Sequence, residues 1–229
     1  MRAALYWVPA AGDPLFVRGS AWLGRDIRTG AAVTQPPIPG IAPLTADAGR
    51  YGLHATLRAP MRLVGAWEDF MASVDTIAQA CTPFELPPLR ACEVGGFLAL
   101  RATGACPSLR DLADRCVLGT EAHRAPPGAA ELARRRAAGL TPRENALLES
   151  YGYPYVMDAW FFHITLTRHL DEAERARLLP LVETYFAPVL SAPRVVDEIC
   201  VCVQENENFA VAKAVKLRGS APEPASPVF

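Results

Sequence analysis

Lysine is almost absent from this chain. Of 229 residues only Lys213 and Lys216 are lysines, and the rest of its 23 basic residues are arginines. That bias fits forked phosphate contacts and GC-rich coding equally well. An excess of charge is missing too. The formal net charge is -1, which argues against a long nucleic acid as partner, since that partner calls for a broad basic surface. A small phosphorylated ligand held by two or three arginines stays open. No apolar run reaches ~18 residues, and no basic-then-apolar leader opens the chain. The expectation is a cytoplasmic protein with no membrane partner. Six cysteines are present, yet none forms a Cys-x-x-Cys pair or lies at zinc-finger distance from a histidine cluster. They read as reduced thiols, and Cys200 and Cys202 as small buried hydrophobes on one strand face.

What remains is an ordinary globular composition, 51% hydrophobic and 21% charged, long enough for one domain or two small lobes. Histidine is scarce, with four copies, and two of them say the same thing. Gly52-Leu53-His54-Ala55-Thr56-Leu57-Arg58 and Phe161-Phe162-His163-Ile164-Thr165-Leu166-Thr167 both contain His-x-Thr-Leu. By chance, two such hits among four histidines would occur on the order of once in ten thousand chains. Taken singly, each is most economically a hydrogen-bonded strand histidine; the pair reverses that weighting. On strands, residues two apart share a face. His54, Thr56 and Arg58 would then share one polar face, and His163, Thr165 and Thr167 another. Leu53, Ala55 and Leu57, and likewise Phe162, Ile164 and Leu166, would anchor each strand in a core.

Along the chain, residues 3–8 read as a strand cut off by Pro9. Residues 10–49, rich in Gly and Pro, read as a long loop, either a lid or a surface excursion packed by Trp22 and Leu23. The first motif strand spans about 52–64. An amphipathic helix follows over 66–80, then strands over 84–91 and 96–102. Helices are expected from residue 108, over 130–138, and from a Thr141-Pro142-Arg143-Glu144 capping box to about 150. Arg134, Arg135 and Arg136 cannot all face one way; at most two could aim at a ligand, and a solvated face is the expectation. The second motif strand spans 159–167, and Asp171–Glu174 caps a helix that Pro180 should kink. Two strands, 194–205 and 209–217, close the pattern around an Asn206-Glu207-Asn208 turn. The tail, 218–229, reads as disordered. After each motif the order is the same, strand, helix, two strands, which supports an internal duplication.

The paired motifs resemble the two-histidine phosphoesterase (LigT-like) superfamily. The resemblance is nearer to a branch found in bacterial phosphonate-utilisation operons. Its signals are Trp22-Leu23-Gly24-Arg25, Tyr51 to Pro60, Leu140-Thr141-Pro142-Arg143 and Tyr151 to Met157. The resemblance implies an α+β fold, bilobal and internally duplicated, with two antiparallel sheets and outer helices around a central cleft. It would cover residues 1–217 as a single domain. It implies His54, Thr56, His163 and Thr165 as the catalytic set, with Arg58, Arg124, Tyr153, Tyr155 and Thr167 as substrate contacts. Arg168 stands where that branch commonly has Gly, and by alternation it should point away from His163. No metal or cofactor is implied.

Two imidazoles facing one phosphorus suit phosphodiester cleavage. One removes a proton from the nucleophile and the other gives one to the leaving oxygen, while the threonines steady the phosphoryl oxygens. The phosphonate branch implies a small cyclic ribose phosphate as substrate, such as 5-phosphoribosyl 1,2-cyclic phosphate. Alternatives are an RNA 2′,3′-cyclic phosphodiesterase, a phosphoribosyl-binding sensor without turnover, and a metal-dependent hydrolase. The last is disfavoured because the motifs bring two histidines and no nearby carboxylate pattern. The sequence leaves open which histidine is the base.

Overall fold

The computed structural model describes residues 1–137 and 139–220. Among these are nine strands and seven α-helices. The first half runs β1 (Arg2–Trp7), α1 (Pro14–Leu23), α2 (Ile41–Tyr51), β2 (Ala55–Arg62), α3 (Trp67–Ala80), β3 (Phe84–Leu86), β4 (Leu89–Val94), β5 (Phe97–Ala102) and α4 (Pro107–Thr120). The second runs α5 (Ala129–Arg136), α6 (Pro142–Tyr151), β6 (Ile164–Thr165), α7 (Glu172–Leu190), β7 (Arg194–Val196), β8 (Glu198–Glu205) and β9 (Asn208–Lys216).

The architecture is α+β with two antiparallel sheets. Seven strands lie in the order β4-β5-β6-β2-β1-β8-β9, and β3 pairs with β7 in a small second sheet. The halves are interlaced. The β4–β5 hairpin of the first half flanks β6 of the second, and the β8–β9 hairpin of the second flanks β1 and β2 of the first. The two motif strands therefore sit side by side at the centre, where side chains on one face are buried. Ala55, Leu57 and Ile164 are at most 1% exposed.

Several elements differ from expectation, each for a local reason. Residues 10–49 hold two helices rather than a long loop. Asp13 accepts from the Leu15 amide as N-cap, Pro14 occupies the first turn where its missing N–H costs nothing, and Gly24 closes α1 in the left-handed region. In α2, Pro43 likewise falls in the first turn. Trp22, fully buried, donates to the Leu166 carbonyl at 3.0 Å, tying α1 to the second motif. The expected strand over 84–91 is split by Pro87-Pro88, which cannot donate to a ladder, so its parts join different sheets. The second motif strand is only Ile164–Thr165. As expected, a single helix, α7, follows Asp171 and carries Pro180 and Pro188 within it. At the tail, Arg218 and Gly219 donate from their amides to the carbonyls of Ala78 and Cys81, so the chain is docked there. Residues 221–229 lie outside the described residues. The capping boxes at Thr141 and Asp171 are both present, and all six cysteines are free.

Candidate active site

The two motifs meet through a single antiparallel bridge between Ala55 and Ile164. That register sets His54 opposite Thr165 and Thr56 opposite His163, all on the face turned away from the core. The two histidines occupy diagonal positions of one four-residue patch, roughly 7–8 Å apart at the backbone by sheet geometry. The local arrangement is a pseudo-twofold about the Ala55–Ile164 bridge. Trp160 strengthens it, donating from Nε1 to the Thr56 carbonyl at 2.9 Å.

Each imidazole is oriented by the same device. His54 Nδ1 lies 2.9 Å from the Gly52 carbonyl and His163 Nδ1 lies 3.1 Å from that of Phe161, in each case two residues upstream. A carbonyl can only accept, so Nδ1 carries the proton in both rings and Nε2 is left free to exchange one. Gly52 makes this possible in the first motif. It closes α2 at φ 67° and ψ -175°, a region essentially open to glycine alone. A Cβ there would sit 2.5 Å from Ile27 Cβ. The Tyr6 ring stacks on His54 at 3.9 Å, and Phe161 and Phe97 flank His163 at 4.8 and 5.9 Å.

Enclosure has an electrostatic consequence. Burial first, then the nearby His163, drives the His54 pKa down to about 4 against the hydrogen bond to Gly52. His163 is lowered as well, by burial and then by Arg101, with the Phe161 carbonyl opposing. Both rings favour the neutral form in the free protein, His54 more strongly. Thr56 Oγ1 lies 3.3 Å from His54 Nε2.

His54, Thr56, His163, Thr165 and Thr167 line one cavity of about 540 Å³. Of the substrate contacts expected from sequence, Tyr153 also lines it. Tyr155 does not; it packs edge-on against Tyr153 at 5.6 Å. Thr167 is nearly buried, and its hydroxyl accepts from the Leu98 amide, so it braces β5 as well. Arg168 turns to Glu174, as alternation requires.

Arg58 is elsewhere. β1 pairs Tyr6 with Thr56 but Leu5 with Arg58, so two residues of β2 oppose one of β1 and the strand bulges. The extra residue reverses the alternation: Ala59 faces the cavity and Arg58 enters the core. There, 2% exposed, it donates to Glu121 at 2.7 Å. Arg124 is held by the same carboxylate and by the Ser150 carbonyl.

The basic residues that do reach the cavity are Arg2, Arg134 and Arg135. Arg135 lies over the Tyr153 ring and pairs with Glu131, while Arg136 turns outward to Glu149. The arginine triplet thus splits two to one, within the limit read from helical spacing. Tyr6 is a wall residue that sequence reasoning misses. It is fully buried on the cavity wall, and its hydroxyl has no hydrogen-bond partner among the described residues. No motif marks it, because it reaches the site through pairing of β1 with β2. Among the described residues no group of three or more His, Cys, Asp or Glu side chains could hold a metal ion.

The α+β frame with two His-x-Thr segments on one cavity is what the likeness to the two-histidine phosphoesterases implies. More narrowly, the chain belongs to the family described as protein of unknown function (DUF1045), which matches residues 56–211. It is 38% identical over 215 residues to a protein of Janthinobacterium sp. (strain Marseille) named ribose 1,5-bisphosphate phosphokinase PhnN, covering 89% of this chain and 48% of that protein. A protein of the same name from Laribacter hongkongensis (strain HLHK9) is 36% identical over 197 residues, covering 84% and 46%. The chain spans about half the length of these curated relatives. Among solved structures, TT0787 of Thermus thermophilus shares the fold at a TM-score of 0.50 and 18% identity, covering 96% of this chain and all of that one. E. coli LigT complexed with NADP+ superposes at 0.45 with 15% identity, covering 94% and 96%.

Proposed function

We propose that this chain is a cyclic phosphodiesterase acting on a small phosphorylated ribose, with 5-phosphoribosyl 1,2-cyclic phosphate as the intended substrate. The observation that carries the proposal is the Ala55–Ile164 register, which puts two Nδ1-committed histidines and two threonines on one cavity face. His54, the more depressed of the pair, is the base. Its Nε2 takes a proton from water as the water oxygen bonds to phosphorus. His163, protonated at Nε2, gives its proton to the ring oxygen as that P–O bond breaks. Thr56 and Thr165 donate to the non-bridging oxygens, where charge builds. An anionic substrate beside His163 raises its pKa, so binding itself loads the acid.

The relatives' name adds direction. Opening the 1,2-ring at the C2 oxygen leaves phosphate on C1, which yields ribose 1,5-bisphosphate, the compound in that name. The present chain contains no Gly-x-x-x-x-Gly-Lys-Ser/Thr stretch to cradle a nucleotide triphosphate. A phosphokinase step is therefore assigned to the part of the relatives that this chain does not match. The test is a product assay on a panel of cyclic phosphates with chelator present, read by phosphorus NMR. Conversion of the 1,2-cyclic phosphate to a monoester is expected. Absence of any ring opening across the panel, at every pH tried, overturns the proposal.

A further inference from the structure

A second cavity of about 310 Å³ adjoins the histidine cavity, and Arg2, Pro60 and Arg134 belong to the walls of both. Arg62 and Arg124 complete its basic lining, with Glu131 as its acidic wall residue. The charge balance is uneven. Arg124 pairs with Glu121, which it shares with Arg58, and Glu131 is spent on Arg135. Arg2 donates to the neutral side chain of Gln204, and Arg62 to the Pro126 carbonyl. Neither these two nor Arg134 has an ion-pair partner among the described residues. Three arginines from β1, β2 and α5 thus line one small recess with no carboxylate committed to them. Like charges gathered this way repel one another unless an anion is shared among them.

We infer that this recess is a phosphate-monoester site, in which Arg2, Arg62 and Arg134 hold the non-reacting phosphate of a sugar whose cyclic phosphate lies between His54 and His163. Guanidiniums suit the task, because each offers two parallel N–H groups to two phosphate oxygens. Arg2 and Arg134, shared by both cavities, would sit over the sugar that joins them. The site selects doubly phosphorylated sugars over singly phosphorylated ones, and it binds through the remote group to position the reacting one. This assignment rests on the reading of the histidine cavity as the place where the cyclic phosphate reacts.

The experiment compares two substrates, ribose 1,2-cyclic phosphate with and without a 5-phosphate, in the wild type, Arg62→Gln and Arg134→Gln. Arg62 is exposed at the end of β2, outside the histidine cavity, so Arg62→Gln is expected to fold; thermal melting checks this. Each variant should lower kcat/KM for the 5-phosphorylated substrate about tenfold to a hundredfold more than for its partner, mostly through KM. Arg62→Lys should recover part of the loss. A 2′,3′-cyclic dinucleotide end preferred over both ribose substrates, with the preference insensitive to Arg62→Gln, would overturn the inference. Direct binding separates it from the catalytic reading. By calorimetry, ribose 5-phosphate should bind wild type and His54→Ala alike, and much more weakly the Arg62→Gln/Arg134→Gln double variant. If no cyclic phosphate is opened but this binding pattern holds, only the catalytic reading fails. If the double variant binds as wild type does, the second site fails.

Discussion

Arg58 stands two residues past the first His-x-Thr and so invites a role in catalysis, yet the structure buries it against Glu121. The two roles make opposite predictions. Arg58 is 2% exposed, with one guanidinium nitrogen 2.7 Å from Glu121 and another without a partner among the described residues. Burial already lowers its pKa. Removing the carboxylate leaves that cation uncompensated, so Glu121→Ala should cost about 3–5 kcal/mol. Arg58→Met removes the buried charge itself, and Glu121 keeps its ion pair with Arg124; an apolar side chain of similar length there should cost no more than about 1–2 kcal/mol. The asymmetry is the signature. Urea titration of both variants, with the double variant closing the cycle, measures it through the midpoint at constant slope. The double variant should regain most of what Glu121→Ala loses. If Arg58→Met abolished turnover in a protein of wild-type stability while Glu121→Ala melted normally, Arg58 would be a substrate contact and the placement would be wrong.

Three further outcomes are expected. His54→Ala and His163→Ala should each lower the rate of ring opening by about 10²–10⁴-fold, or ~3–5 kcal/mol, with melting temperatures near wild type; stopped assays and a thermal scan check both halves of the statement. The folded chain holds His54 at about 4, below its ordinary value of 6.5. Between those values the unfolded chain therefore binds more protons, so stability should fall as pH drops from about 6.5 towards 4. His54 contributes at most about 3 kcal/mol of that loss, so the fall should be smaller in His54→Phe, which keeps only the contribution of the depressed His163, as denaturant titrations at several pH values would reveal. Gly52→Ala should destabilise by about 2–4 kcal/mol and cut the rate in whatever fraction stays folded, since a Cβ meets Ile27 and the carbonyl that orients His54 must move; a circular-dichroism melt with a paired activity assay decides it.

Much of this is legible in the residues. The motif pair, the capping boxes and the amphipathic period of α3 each point to one local structure, and each is present. What is not legible is long-range or irregular. Alternation assigns Arg58 to the polar face only while the strand stays regular, and one extra residue against β1 reverses it; a bulge has no fixed sequence signature when Gly is absent. The helices within 10–49 are hidden because Pro14, Pro43 and Gly40 read as breakers, although Pro in a first turn and Gly at a cap are boundary marks. Arg2 and Arg134 carry no motif. They reach the cavity because β1 pairs with β2 and α5 brings Arg134 to the same cavity wall, facts that belong to topology rather than to neighbours in the chain.

The repeated hydrogen bond from Nδ1 to a carbonyl two residues back explains why the motif is short. A histidine used as acid or base must have one nitrogen committed and the other free, and many folds recruit a distant carboxylate for the purpose. Here the backbone just upstream of each strand supplies the acceptor, so orientation needs no partner from elsewhere. A neutral acceptor also leaves the ring's pKa to burial and to the opposite ring, whereas a carboxylate would hold both imidazoles charged. If the proposed phosphodiester lies between the two depressed rings, its arrival becomes the event that charges one. That makes the free cleft a poor acid and the substrate-bound one a good acid. In consequence the alkaline limb of kcat, which reports the bound state, should lie at higher pH than the alkaline limb of kcat/KM, which reports the free one. Coincident limbs would mean that the anion does not lie between the rings.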